Sequence, residues 1–541
     1  MIKDEKVKMK RLDPEAFIQK ANEWFNPCKR FVFVFTFIFG IITHLLVITG
    51  TIFSQDGLWN SMSYFVPGDW EITLGRWGLE IAGKLTNYMA IPNLTTIFCL
   101  AVTAIIAVLV VDLFDIDNKF IAGLIGTVFA VSPILTTTLL YVYTSFAYVL
   151  NFLLSVLAAF FIFKIKNKKA AVIASSLCFM FSLSIYQSYI GVTVGLGLMV
   201  SILRLANNEE KPKEVLMDLL RLALSIIIGG ILYYIVTIIV LKVCALEFAD
   251  YTTANAFSLL SIIKAIPNGI RHCYKDFMAF SFRDRIISNS NYRREYIFAV
   301  FYIAIVLNIL YRLIKVKFEE EKKDTIIRKI FMVLLLIFIP IGLNVVDLLI
   351  VGNELYALSS AQMILMIPFG LALFNNLTLP VEKWIIYTST IMIIVTYFIA
   401  TQVSYESLKL TYNQVYSAAL RLQDRVENTP DYEPTMPYVF AGIIGDNNFP
   451  RNNRLYEYTL GSMITNAAFH YSYYGMTGTW INFYRIFFGM DIDVADEVTY
   501  TNIISGDIYQ NEMDVFPAQN SVRVIDGCIV IKLDKTPPVP F

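Results

Sequence analysis

The chain has 541 residues, 56% of them hydrophobic and 14% aromatic, with 44 Lys+Arg balanced by 44 Asp+Glu. Only 16% of the residues are charged, whereas soluble domains carry roughly a quarter. Even charge excludes a basic field for nucleic acid, and repeated apolar stretches long enough to cross a bilayer exclude an ordinary soluble domain.

Residues 1–30, "MIKDEKVKMKRLDPEAFIQKANEWFNPCKR", are polar and basic. No small-residue cleavage site follows the next apolar run, so no cleavable signal peptide is expected. Candidate spans then fall at 31–52, 93–114, 120–137, 146–164, 170–186, 189–205, 222–244, 296–314, 330–350, 356–374 and 384–401, about eleven in all by length. The stretch 120–164 divides in more than one way around Pro133, and 170–205 is interrupted by "YQSY". The short loops "KIKNKK", "RLANNEEKPKE" and "RLIKVKFEEEKKDTIIRK" are rich in Lys and Arg and fall on the side of the N-terminus, which is the cytoplasm by the positive-inside rule. The transmembrane domain is thus read as 31–401, with outer loops at 53–92 and 245–295. Loop 245–295 carries six Lys and Arg between Arg271 and Arg294, but long loops translocate largely regardless of charge.

The tail, 402–541, reads as a small extracytoplasmic α+β domain. "TQVSYESLKLTYNQVYSAALRLQDRVEN" has helical spacing. "PYVFAGIIGDNN" reads as a strand and turn, and "SVRVIDGCIVIKLD" as a hairpin around Asp526-Gly527, the dipeptide that favours a type I′ turn.

Candidate chemistry starts in the first outer loop, "SQDGLWNSMSYFVPGDWEITLGRWG". Asp56 lies just past the first span, where a partly desolvated carboxylate suits a general base; a loop acid that merely ends the span is the bland alternative. Residues 72–90 predict an amphipathic interfacial helix on which Arg76, Glu80 and Lys84 form one stripe. Glu80 and Lys84 read as a solvated pair. Arg76, in "GRW", suits bidentate phosphate binding close to an unhindered backbone. In the long loop, "SLLSIIKAIPNGIRHCYKDFMAFSFRDR" predicts a second interfacial helix with Arg271, His272 and Lys275 clustered on it. Such a cluster would hold a phosphate, or serve as ordinary attraction to anionic lipid.

The six cysteines show no metal spacing, and a Cys244–Cys273 bridge is conceivable without positive support. Three histidines, His44, His272 and His470, lack a partner ligand at helical spacing, so zinc catalysis is not expected. No cofactor is required by the sequence, which leaves a divalent metal open. Polar groups within spans are few (His44, Asp112, Asn151, Gln187, Asn344 and Asp347), and no chain of acids crosses the membrane as in a proton-coupled transporter.

These pieces resemble the Gtr-type bacterial membrane glucosyltransferases. The likeness rests on "FSQDG" after the first span, "GRWGLEIAGKL" about twenty residues on, "SLSIYQSYIG" (182–191), and an outer tail opening with "YNQVYSAAL". It covers most of the chain in order and hydropathy. The resemblance implies a polytopic α-helical membrane protein of type-C glycosyltransferase fold in the bacterial cytoplasmic membrane. It implies an inverting enzyme that moves a sugar, with glucose expected, from undecaprenyl phosphate to a surface glycan or lipid-linked acceptor. On this likeness Asp56 matches the catalytic acid, Arg76 the "GR" arginine, and Tyr186 with Gln187 the "YQ" pair. The family often has two adjacent acids where Gln55-Asp56 stands; Asp69 is then the candidate for a second carboxylate. Membrane lipid is an implied partner. Such enzymes also often act beside a small flippase and a carrier-charging synthase. A glycan polymerase, a lipid-linked glycan flippase and a non-catalytic scaffold stay open as rival readings.

Overall fold

A backbone in hydrocarbon must satisfy its own hydrogen bonds, so apolar runs of this length become helices. The computed structural model describes residues 14–60, 64–249, 259–283, 295–315, 322–348, 358–375, 380–444, 469 and 472–540. His470 and the turn expected after 444 lie outside them. The first half runs α1 (Pro14–Trp24), α2 (Pro27–Thr43), α3 (Leu45–Thr49), α4 (Gln55–Trp59), α5 (Asp69–Thr73), α6 (Gly78–Leu85), α7 (Pro92–Leu113), α8 (Lys119–Val131) and α9 (Pro133–Leu140). Then come α10 (Val142–Lys164), α11 (Lys168–Ile185), α12 (Ile190–Ala206) and α13 (Pro212–Val243). The second half holds α14 (Leu259–Arg283), α15 (Glu295–Lys315), α16 (Lys322–Leu343), α17 (Met366–Leu373) and the 48-residue α18 (Pro380–Glu427).

Among the described residues, nine helices are long and apolar enough to span a bilayer. A tenth follows if Ile18–Trp24 and Pro27–Thr43, bent by 84° to each other, form one span. The chain is thus a polytopic helical membrane protein. α8 and α9 are one interrupted span, broken where Pro133 cannot donate a helical N–H and Ser132 caps the new start. The run expected as a span at 356–374 is shorter, a 3₁₀ turn (Leu358–Leu365) leading into α17, and almost entirely buried.

Polar groups inside the helices are used as internal staples. The His44 ring meets the Tyr405 hydroxyl at 2.7 Å and the Ala130 carbonyl at 2.9 Å. Asp112 pairs with Lys29 at 2.8 Å and accepts from the Trp24 indole at 3.1 Å. Asn344 donates to the Cys273 carbonyl. All six cysteines are free, so the conceivable Cys244–Cys273 bridge is not formed; Cys273 instead donates to the Asn344 carbonyl.

The tail departs from its sequence reading at the start. No break separates the last span from the following amphipathic helix: both belong to α18, because no Gly or Pro interrupts 381–427. Beyond it lie β1 (Tyr438–Ala441), α19 (Tyr473–Phe483), α20 (Glu497–Ser505), β2 (Val522–Ile525) and β3 (Cys528–Lys532). The sheet has the order β1-β3-β2, with β1 parallel and β2 antiparallel to β3. Asp526 and Gly527 both take positive φ (51° and 73°), as the expected type I′ hairpin requires. Trp480 stacks on Phe440 at 4.5 Å and donates to the Gly442 carbonyl, closing this small core.

Candidate active site

The loop 53–92 does not form the single helix expected over 72–90. It makes α5, a tight turn through Gly75, and α6. Gly75 adopts φ +73° with the Tyr233 hydroxyl against its α-carbon, a place where a side chain would collide. The turn takes Arg76 off the Glu80–Lys84 stripe, which stays as an exposed pair at 2.9 Å. Arg76 points inward instead, its guanidinium 5.0 Å from the centre of the Tyr186 ring. Stacking of this kind contributes about 0.5–2 kcal/mol. The Arg76 Nε is buried with no hydrogen-bond partner among the described residues.

The "YQ" pair sits where the chain leaves helix. α11 ends at Ile185, Tyr186 is extended (φ −158°, ψ 110°), and a 3₁₀ turn Gln187–Tyr189 follows. The break is held from inside: Asn151 donates to the Tyr186 carbonyl at 2.9 Å and accepts from Ser182 at 2.6 Å. Gln187 uses its amide to fix the loop, donating to the Leu74 carbonyl at 3.0 Å and the Tyr233 hydroxyl at 2.9 Å. Trp77 donates to Thr237 of α13 at 3.0 Å. Gln187 thus orients the Gly75–Arg76 turn, while Tyr186 receives the cation.

Asp56 is half-buried in α4. A five-residue helix is too short to persist alone, and this one is capped by Ser54, whose hydroxyl accepts from Gly57 N–H at 3.0 Å and donates to the Leu140 carbonyl at 3.1 Å. That anchor sets Asp56 beside Tyr141, which joins α9 to α10. The Tyr141 phenol lies beside the Asp56 carboxylate; burial first, then that charge, push the phenol above its ordinary range.

Tyr141 also lies within electrostatic reach of Tyr148 and Tyr186. Tyr148 and Tyr186 rings stand 5.0 Å apart, and Tyr186 and Tyr189 5.5 Å apart. Asp56, through Tyr141, and Arg76, through Tyr186, therefore both border one tyrosine cluster. Of the loop's other acids, Glu71 reaches this cluster electrostatically, through Tyr143 and Tyr148. Asp69 stands exposed at the first turn of α5. A narrow aromatic-rimmed cleft adjoins the cluster, lined among others by Phe65, Leu79, Tyr88, Tyr143 and Phe146.

The long-loop cations lie elsewhere. Arg271 and Lys275 are exposed on α14 and His272 is half-buried. That helix packs on α15, α16 and the turn Val345–Leu348, and nothing among the described residues joins these cations to Asp56 or Arg76. Among the described residues, no group of three or more His, Cys, Asp or Glu is arranged to hold a metal ion. Sequence reasoning missed Tyr141, Tyr143, Tyr148 and Glu71. The first three stand in "YVYTSFAY" at the head of α10, a run that reads equally as an interfacial aromatic belt.

An acid and an arginine from one loop, set on tyrosines at the ends of apolar helices, define a helical membrane protein with a polar site at one end of its bundle. The family model described as "Glucosyl transferase GtrII" matches residues 59–370, more than half of the chain, and the protein belongs to that glucosyltransferase family. The matched stretch contains Arg76, Tyr186 and Gln187; Asp56 lies three residues before it and the tail beyond it. No curated protein and no solved structure matches the chain.

Proposed function

We propose that the protein moves glucose from a polyprenyl-phosphate carrier, undecaprenyl phosphate in a bacterial membrane, to a surface glycan or lipid-linked acceptor at the outer face. The observation that carries this reading is that Asp56 and Arg76 both lie against one tyrosine cluster. An acceptor hydroxyl loses its proton to the Asp56 carboxylate as its oxygen bonds to the anomeric carbon. The bond from that carbon to the carrier phosphate breaks in the same displacement, and the configuration inverts. Arg76, with an unpartnered Nε and its guanidinium over the Tyr186 ring, takes the charge that develops on the leaving phosphate. Tyr141 keeps Asp56 aimed, and the aromatic cleft suits the apolar face of a sugar.

In this reading the bundle has a type-C glycosyltransferase fold with the N-terminus cytoplasmic, loops 53–92 and 245–295 outside, and the tail beside the outer acceptor. The exposed Arg271 and Lys275 then attract anionic headgroups, and a flippase and a carrier synthase supply the donor. The test uses proteoliposomes loaded with radiolabelled polyprenyl-phosphate glucose and a crude lipid-linked glycan acceptor. Label passing from carrier to acceptor is expected; label that stays on the carrier, with glucose, galactose and mannose carriers alike, would overturn the reading.

A further inference from the structure

The helix bearing Asp56 is not held by the membrane bundle alone. α4 spans Gln55–Trp59, and the last carbonyls of any helix lack intrahelical donors. Here two of them are satisfied from a residue more than four hundred positions away: the Asn482 amide of α19 donates to the Leu58 carbonyl at 3.0 Å and the Trp59 carbonyl at 2.6 Å. Asn482 is 3% exposed. One turn earlier, Gly478 lets α19 approach so closely that a β-carbon there would stand 2.5 Å from the Trp59 ring. At the other end of the segment, the Tyr412 hydroxyl on α18 donates to the Phe53 carbonyl at 3.2 Å. The tail therefore clasps residues 53–59 at both ends, with Asp56 between them.

We infer that Asn482 is a positioning residue for Asp56: it caps the short catalytic helix in trans, so the C-terminal domain completes the active site rather than only standing beside it. A helix of five residues has no stability of its own to spare. With Ser54 fixing its start and Asn482 its end, the Asp56 side chain is held at Tyr141; with the end released, the last turn frays and the carboxylate leaves that phenol. The inference rests on the transfer reading for its catalytic half, while the capping half stands on the hydrogen bonds alone.

Asn482→Asp is the sharp variant, because it keeps the shape and replaces the amide donor by an acceptor facing two carbonyls. Asn482→Ala is its companion, removing the donor without adding charge. Full-length wild type and both variants in lipid nanodiscs are compared by hydrogen exchange of the peptide covering 53–60 and by transfer kinetics. We expect exchange of the Leu58 and Asn60 amides at least tenfold faster in both variants, with β1–β3 protection unchanged. We also expect a fall of about tenfold or more in kcat with the donor KM within about twofold. Unchanged exchange in 53–60 would overturn the cap. Faster exchange with unchanged kcat would overturn its link to catalysis. If wild type transfers from no carrier, the transfer reading has failed, and the exchange comparison by itself decides whether Asn482 holds the helix.

Discussion

Alanine in place of Gly75 would load two separate costs onto the turn that aims Arg76. Gly75 sits at φ +73°, and a non-glycine residue in that left-handed region costs about 1 kcal/mol. The added β-carbon would also run into the Tyr233 hydroxyl, which accepts from Gln187 at 2.9 Å. Tyr233 must swing away, forfeiting a hydrogen bond worth about 1 kcal/mol, so the total is about 2 kcal/mol. Gly527 provides the control: it has the same φ of 73° in the β2–β3 hairpin with nothing near its missing β-carbon, so Gly527→Ala carries only the backbone cost, about 1 kcal/mol. Thermal unfolding in nanodiscs compares the two, and transfer assays show whether the displaced turn reaches the chemistry. Gly75→Ala should be the less stable and should lose about a hundredfold in transfer, while Gly527→Ala keeps near-normal transfer. Equal stability losses, or full activity in Gly75→Ala, would refute the role assigned to this turn.

Three further outcomes are expected. Arg76→Lys keeps the charge but loses the guanidinium over the Tyr186 ring and the two-pronged phosphate contact proposed for it; kcat/KM should fall about a hundredfold, measured with labelled carrier. Tyr141→Phe removes the hydroxyl beside Asp56, and steady-state transfer should drop about tenfold with protein yield unchanged. Asp496 caps α20, and hydrogen bonds from the Thr499 backbone and hydroxyl hold its carboxyl below the ordinary range. Its stabilisation is therefore present above the ordinary carboxylate value and lost as pH falls through the lowered one. Asp496→Asn, which caps without titrating, should flatten the acid limb of an unfolding-versus-pH curve; an unchanged limb would remove Asp496 from that account.

How much of this was readable from the sequence depended on whether the determining contacts were local. The Asp526-Gly527 hairpin formed where expected because both positive φ values belong to adjacent residues whose types favour them. Apolar spans were readable for the same reason: length and composition are carried by the run itself. The turn at Gly75 was not, because the periodicity of 72–90 fits one helix, and what breaks it is Tyr233 and Gln187 on distant helices. Gly75 preceding Arg76 was the available signal. Continuity of α18 could have been read from the absence of Gly and Pro over 381–427, but the shift from apolar to amphipathic spacing suggested a boundary. Asn482 had no local signal at all: its two acceptors are carbonyls in α4.

Asp56 is the proposed base, and its replacement by the isosteric amide, Asp56→Asn, is the sharpest probe of that role. The amide keeps the size of the side chain and leaves the Ser54 cap and the Leu140 anchor in place. Wild type, Asp56→Asn and Asp69→Asn would be reconstituted side by side with labelled polyprenyl-phosphate glucose and acceptor. Asp56→Asn should lose about a thousandfold or more in transfer, while Asp69→Asn, altered at an exposed site on α5, should transfer within a few-fold of wild type. Asp56→Asn protein that is correctly inserted and still transfers at the wild-type rate would contradict that role.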